Sequence, residues 1–100
     1  MSGPLRHVCL FRLKRSLSAE ETAELQRHAA AFLAADANIR AYRFGLNTSR
    51  KAGGFELVLY SEFTSAAALA AYVQTPQHEV LAAFMDAFVD QTVVADVAMG

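Results

Sequence analysis

The chain has no tryptophan, a single cysteine (Cys9), two prolines and five glycines in 100 residues. One cysteine excludes an internal disulfide framework and any zinc site built on several thiolates. So little proline and glycine, with 54% apolar and 19% charged residues, excludes a collagenous, low-complexity or disordered chain. No uncharged apolar stretch reaches the roughly 18 residues that a membrane-spanning helix needs. A basic start followed by an apolar run and a small-residue cleavage site is also missing, so no signal peptide is read. The net charge of −1 lacks the basic excess of nucleic-acid-binding domains. The expectation is one soluble, cytoplasmic domain over residues 1–100, ordered over about 5–99, with neither nucleic acid nor membrane as partner.

The charge is unevenly spread. All nine Lys and Arg lie between Arg6 and Lys51 beside four acids, a balance of +5, and the six acids after Lys51 give −6. Such a split can orient two copies or steer an anion, unless folding interleaves the halves.

Arg6 to Leu13 has strand-type content, with His7, Cys9, Phe11 and Leu13 on one face and Val8, Leu10 and Arg12 on the other. Ser18 followed three residues later by Glu21 is a capping box, and Leu25, Ala29, Phe32 and Leu33 continue it as an amphipathic helix ending near Asp36–Asn38. Ile39 to Leu46 reads as a second strand, with Tyr42, Phe44 and Leu46 sharing a face. A polar loop over Asn47–Gly54 leads to the clearest strand, Phe55 to Phe63. Thr64 or Ser65 can cap a short alanine-rich helix bearing Leu69, Tyr72 and Val73. Thr75-Pro76 interrupts it and opens a third helix with Val80, Leu81, Phe84, Met85 and Phe88 on its apolar face. Thr92 to Met99 closes the chain as a strand.

The order β-α-β-β-α-α-β is an α+β, ferredoxin-like plan: an antiparallel sheet with helices on one face. The first and third strands nevertheless carry apolar residues on both faces (Val8 and Leu10, Val58 and Tyr60). So large an exposed apolar patch is unusual for a monomer, and a second copy packed sheet against sheet covers it most economically. A homodimer is expected.

For chemistry, His7 shares strand parity with Cys9 and Phe11, and His78 shares helical spacing with Leu81 and Met85. Both therefore point to an apolar layer. His78 lies in the first turn of its helix, where the helix dipole keeps an imidazole neutral and suited to act as a general base. Tyr72 can offer its phenol to a substrate or to His78. The competing reading is two separately packed core histidines and a core tyrosine. His28 reads as a flank residue, and Cys9 as a small buried hydrophobe rather than a nucleophile. The carboxylates read as solvated, none in register beside His7 or His78, so neither metal nor cofactor is expected. Glycine-rich phosphate loops and nucleophile elbows are missing.

The run His7-Val8-Cys9-Leu10-Phe11-Arg12-Leu13-Lys14, the element Tyr72-x3-Pro76-x-His78 and the closing Val93-Val94-Ala95-Asp96 resemble the stress-responsive dimeric α/β-barrel family. The resemblance spans nearly the whole chain and implies ferredoxin-like protomers whose sheets pack together as a barrel. A plant branch of polyketide cyclases, which form olivetolic acid by aldol-type ring closure, is similar in bearing counterparts of His7, Tyr72 and His78. That resemblance implies His78 as general base with Tyr72 assisting. It further implies an apolar pocket wall of Leu59, Leu81, Ala82, Val89, Thr92 and Val94. Ala29 stands where that branch has a second pocket tyrosine, which removes a polar anchor and widens the pocket.

Three functional classes follow. The first is a homodimer with an apolar pocket and cofactor-free acid/base catalysis, of cyclase or isomerase type, on an aromatic or polyketide-like ligand. The second is a structural or stress-associated dimer without turnover, distinguished by a filled core in place of a cavity. The third is a monooxygenase- or isomerase-like member of the wider dimeric superfamily, distinguished by oxygen consumption.

Overall fold

A computed structural model describes residues 3–99. The elements are β1 (Leu5–Leu13), α1 (Ala19–Ala35), β2 (Ile39–Leu46), β3 (Phe55–Phe63), α2 (Ala66–Val73), α3 (Pro76–Met85) and β4 (Val89–Ala98). The four strands form one sheet in the order β2-β3-β1-β4, every neighbour antiparallel. This is the expected ferredoxin-like α+β plan, with the second crossover helix broken in two.

Local chemistry sets the boundaries. Ser18 Oγ accepts the Glu21 amide at 3.0 Å while Glu21 Oε1 accepts the Ser18 amide at 2.9 Å, completing the capping box of α1. Arg15 grips the same carboxylate with two bonds of 2.8 Å. Ser65, not Thr64, caps α2, and Thr75 caps α3 with Pro76 in its first turn. Proline has no amide hydrogen to continue a helix from α2, but at the start of α3 none is needed.

The core lies between the helices and the face of the sheet that carries Cys9, Phe11, Tyr42, Phe44, Leu57, Leu59 and Phe63. Leu25, Ala29 and Phe32 meet it from α1, Ala68 and Tyr72 from α2, and Leu81 and Met85 from α3. Each buried aromatic or leucine side chain contributes about 1.5–3 kcal/mol by leaving water.

Several expected core positions fall outside it. Leu33 is 41% exposed and Val80 59%, because successive helical residues rotate by about 100° and both sit at the edge of their stripe. Val73 (46%) and Leu46 (71%) are likewise exposed. Phe88 is fully buried but follows α3: the helix stops at Met85 and the chain folds back, with the Phe88 amide donating to Met85 O at 3.0 Å. β4 begins at Val89, three residues before the expected Thr92, since Val89 already pairs with Leu13.

Basic β1 lies between β3 and β4, which carry acids, so folding interleaves the two charged halves. On the face away from the helices, Arg6 Nε donates to Tyr60 Oη at 3.1 Å, and Tyr60 donates in turn to Glu62. Around them Val8, Leu10 and Val58 are half-buried, and Val93 and Val97 are 43% and 51% exposed. Among the described residues, no helix is long and apolar enough to cross a membrane.

Candidate functional site

A cavity of about 330 Å3 opens between α2, α3 and the sheet. His7, Leu59, Tyr72, His78, Leu81, Ala82, Val89, Thr92 and Val94 all line it, and Cys9, Phe11, Val73, Met85 and Asp86 complete its wall. The residues singled out in the sequence are thus neighbours in space. Ala29 is buried in α1 and is not part of this wall.

His7 reaches the cavity because alternation along β1 turns odd-numbered residues towards the helices. The β1–β4 register sets Asp96 opposite it, and Nδ1 of the ring lies 2.5 Å from Asp96 Oδ1. This corrects the expectation that no carboxylate stands beside either histidine. The pairing spans 89 residues, so sequence spacing hides it, although the parity of Thr92, Val94 and Asp96 places all three on the cavity face. A carboxylate only accepts, so Nδ1 donates and, in the neutral ring, Nε2 carries the lone pair. That nitrogen is 3.3 Å from Cys9 Sγ. Burial, and then the Asp96 charge, push the Cys9 thiol up to about 11, so it rests protonated.

Tyr72 Oη is 2.7 Å from Tyr42 Oη. Tyr42 is 1% exposed and does not line the cavity, and among the described residues its hydroxyl is hydrogen-bonded to Tyr72 alone. Tyr42 therefore donates, and the Tyr72 proton is left for the cavity. Burial pushes Tyr72 up to about 12, with the bond from Tyr42 opposing the shift, and burial pushes Tyr42 well above the usual phenol range. The sequence put Tyr42 on one strand face with Phe44 and Leu46 but carried no signal of this contact between β2 and α2. Of the two partners read for the Tyr72 phenol, a substrate or His78, the second meets it ring to ring, edge to face with centroids 4.9 Å apart.

His78 occupies the first turn of α3, its amide donating to Thr75 Oγ1 at 3.2 Å. Its imidazole is held below the ordinary histidine value, first by burial and then by His7, with Glu79 opposing. The helix N-terminus acts in the same direction. A neutral imidazole, a phenol proton and a carboxylate-oriented imidazole thus face one apolar chamber. His28 remains a flank residue, near Glu24 at 3.6 Å and against the Phe84 ring.

A larger cavity, about 430 Å3, lies at the far end of the sheet between α1, β2 and β3. Leu13, Leu17, Leu25, Phe44 and Leu46 line it, with Glu56 its only ionisable residue, so it can hold apolar matter but offers little chemistry. No group of three or more metal-ligating side chains is found among the described residues.

Comparison with known proteins agrees with this architecture. The family described as the stress responsive A/B barrel domain matches residues 5–99, and the chain belongs to it. No curated protein matches the sequence. Among solved structures, a hypothetical protein of Arabidopsis thaliana is 27% identical, with a TM-score of 0.80 over 98% of this chain and 89% of that one. A hydroxynitrile lyase from Passiflora edulis is 18% identical (TM-score 0.81, covering 98% of this chain and 94% of that one). A dimeric protein of unknown function with a ferredoxin-like fold, from Bacteroides fragilis, is 23% identical (TM-score 0.78, covering 97% of each chain). The last two likenesses concern the fold alone.

Proposed function

We propose that this A/B barrel protein is a homodimer, packed through the open face of its sheet, that admits a small apolar or aromatic carbonyl compound and moves a proton beside the carbonyl without a cofactor. The observation that carries this reading is the convergence of His7, Tyr72 and His78 on one otherwise largely apolar cavity of about 330 Å3. That volume is within the range of small-molecule sites, where apolar walls bind and a few polar groups orient.

In this mechanism neutral His78 takes the proton from the carbon next to the carbonyl. The Tyr72 hydroxyl, backed by Tyr42, donates to the oxygen as the enolate forms. His7, fixed by Asp96, turns an accepting Nε2 to the cavity and orients the ligand through a hydroxyl group rather than through the carbonyl. In an isomerisation His78 then returns the proton to another carbon of the conjugated enolate; in a cyclisation the enolate carbon bonds to a second carbonyl carbon of the ligand, whose oxygen takes the proton from His78. The Passiflora edulis relative is named as a lyase, which supports the fold as a scaffold for such chemistry. The apolar residues left open on the sheet, with the description of the Bacteroides fragilis relative as dimeric, support the homodimer.

Deuterium exchange into the methyl group of para-hydroxyacetophenone, followed by proton NMR in heavy water, tests the catalytic part. The wild-type protein is expected to accelerate exchange, with His78→Ala losing at least about 10²-fold. Exchange no faster than with free imidazole, or wild-type rates in His78→Ala, would leave a non-catalytic dimer as the better description.

A further inference from the structure

The same cavity contains a second constellation that proton transfer at carbon does not use. Cys9 Sγ is 3.3 Å from His7 Nε2, and Nδ1 of that ring is 2.5 Å from Asp96 Oδ1. Thiol, imidazole and carboxylate stand in the order nucleophile, base and orienting group. Backbone pairing builds the array: Cys9 and His7 share a face of β1, and β4 sets Asp96 opposite His7. Thiol and imidazole both line the cavity, so a bound ligand meets them directly.

We propose that Cys9 is a nucleophile for acyl transfer from small apolar or aryl esters, with His7 as its base and Asp96 as the positioning residue. In the first step the Cys9 S–H proton passes to His7 Nε2 as Sγ bonds to the ester carbonyl carbon. The tetrahedral intermediate collapses, the carbon–oxygen bond to the alcohol or phenol breaks, and the leaving oxygen takes the proton from Nε2. Water then attacks the thioester with His7 again accepting its proton. The sulfur–carbon bond breaks, Cys9 regains the proton, and a carboxylic acid leaves. Asp96 stabilises the imidazolium in both steps without taking its proton.

The surroundings decide the kind of nucleophile. Asp96 faces the pair from β4, His78 from α3, Tyr72 from α2 and Tyr42 from β2, while β3 contributes uncharged Leu59 and Ser61; Asp86, just past α3, lines the same cavity. With the thiol held near 11, no resting thiolate exists at neutral pH. The nucleophile is made only as attack occurs, as with a serine hydroxyl, and its reactivity depends on His7.

The chain has one cysteine, so an adduct on sulfur has one address. The full-length protein is incubated with para-nitrophenyl acetate, and release of nitrophenolate is followed with peptide mass mapping of the acetyl group. The expected result is a burst with acetyl on Cys9, faster at neutral pH than an unaided thiol with a pKa of about 11 allows. Asp96→Asn is expected to slow acylation at least about tenfold, less than such carboxylates can supply. His7→Gln should do the same, and Cys9→Ala should remove the adduct. Circular dichroism identifies any variant that has not folded, and half-exposed Asp96 makes Asp96→Asn the variant least demanding of the fold. Acetylation confined to surface lysines would overturn the proposal. So would a Cys9 rate that climbs unaided towards pH 11 and is unchanged in Asp96→Asn. Failure of ketone exchange is read at carbon and failure of this step at sulfur, so the two are told apart.

Discussion

The paired hydroxyls of Tyr42 and Tyr72 give the sharpest energetic test, because the direction of their bond sets unequal penalties for removing either end. Tyr42 donates and among the described residues is hydrogen-bonded to Tyr72 alone, whereas Tyr72 can turn its own proton to the cavity. Tyr42→Phe therefore loses one neutral hydrogen bond, about 0.5–1.5 kcal/mol. Tyr72→Phe strands the Tyr42 hydroxyl in the core, about 1–3 kcal/mol. The double variant leaves no stranded group and is expected to fall short of the sum of the two by about 1 kcal/mol. At about 4–8 °C per kcal/mol for a domain of this length, each effect is measurable as a shift in Tm as well as by urea unfolding. All four proteins must be compared at one concentration, since self-association adds to apparent stability. Additive losses, or a greater loss from Tyr42→Phe than from Tyr72→Phe, would refute the assigned bond direction.

Leu10→Asp puts a charge in the middle of the open sheet face and is expected to halve the mass seen by light scattering, from about twice 10.9 kDa to the single-chain value. An unchanged mass would remove that face from the interface. Because His78 is held below the ordinary 6.5, its neutral, basic form persists at neutral pH, and exchange activity should fall only on acidification below that value. Glu79→Gln removes the opposing influence and should carry the acid limb of the pH–rate profile lower still. Glu21 is held down at about 2, first by its bond from Arg15, so its contribution to stability is present above its ordinary 4.5 and lost as pH falls towards 2. Thermal melts of Glu21→Gln should show less acid sensitivity across that window; identical pH slopes would contradict the assignment.

Features resting on local periodicity were legible in the sequence. Alternation put His7, Cys9 and Phe11 on one face of β1, Ser18 and Glu21 announced α1, and Pro76 announced the break between α2 and α3. Helical phase was legible only to about a quarter turn, which is why Leu33 and Val80 were expected inside and lie at the surface. The resemblance supplied the cavity wall, residue by residue, where spacing supplied only the face each residue occupies. What stayed hidden was contact across elements. The Asp96–His7 pair depends on a strand register between the two ends of the chain, and the Tyr42–Tyr72 bond on how α2 settles over β2. Neither has a local pattern, and both change the chemistry: one fixes which nitrogen of His7 is free, the other aims the Tyr72 proton.

The central claim is that the chamber of His7, Tyr72 and His78 is the ligand site, although the larger cavity between α1 and β2 competes for apolar matter. Titrating labelled protein with para-hydroxyacetophenone and following amide, methyl and imidazole NMR resonances tests it most directly. The account expects saturable shifts at Tyr72, His78, Leu81, Ala82 and Val94, with Leu17 and Leu46 unmoved. Shifts confined to Leu13, Leu17 and Leu46, or none that saturate, would contradict it.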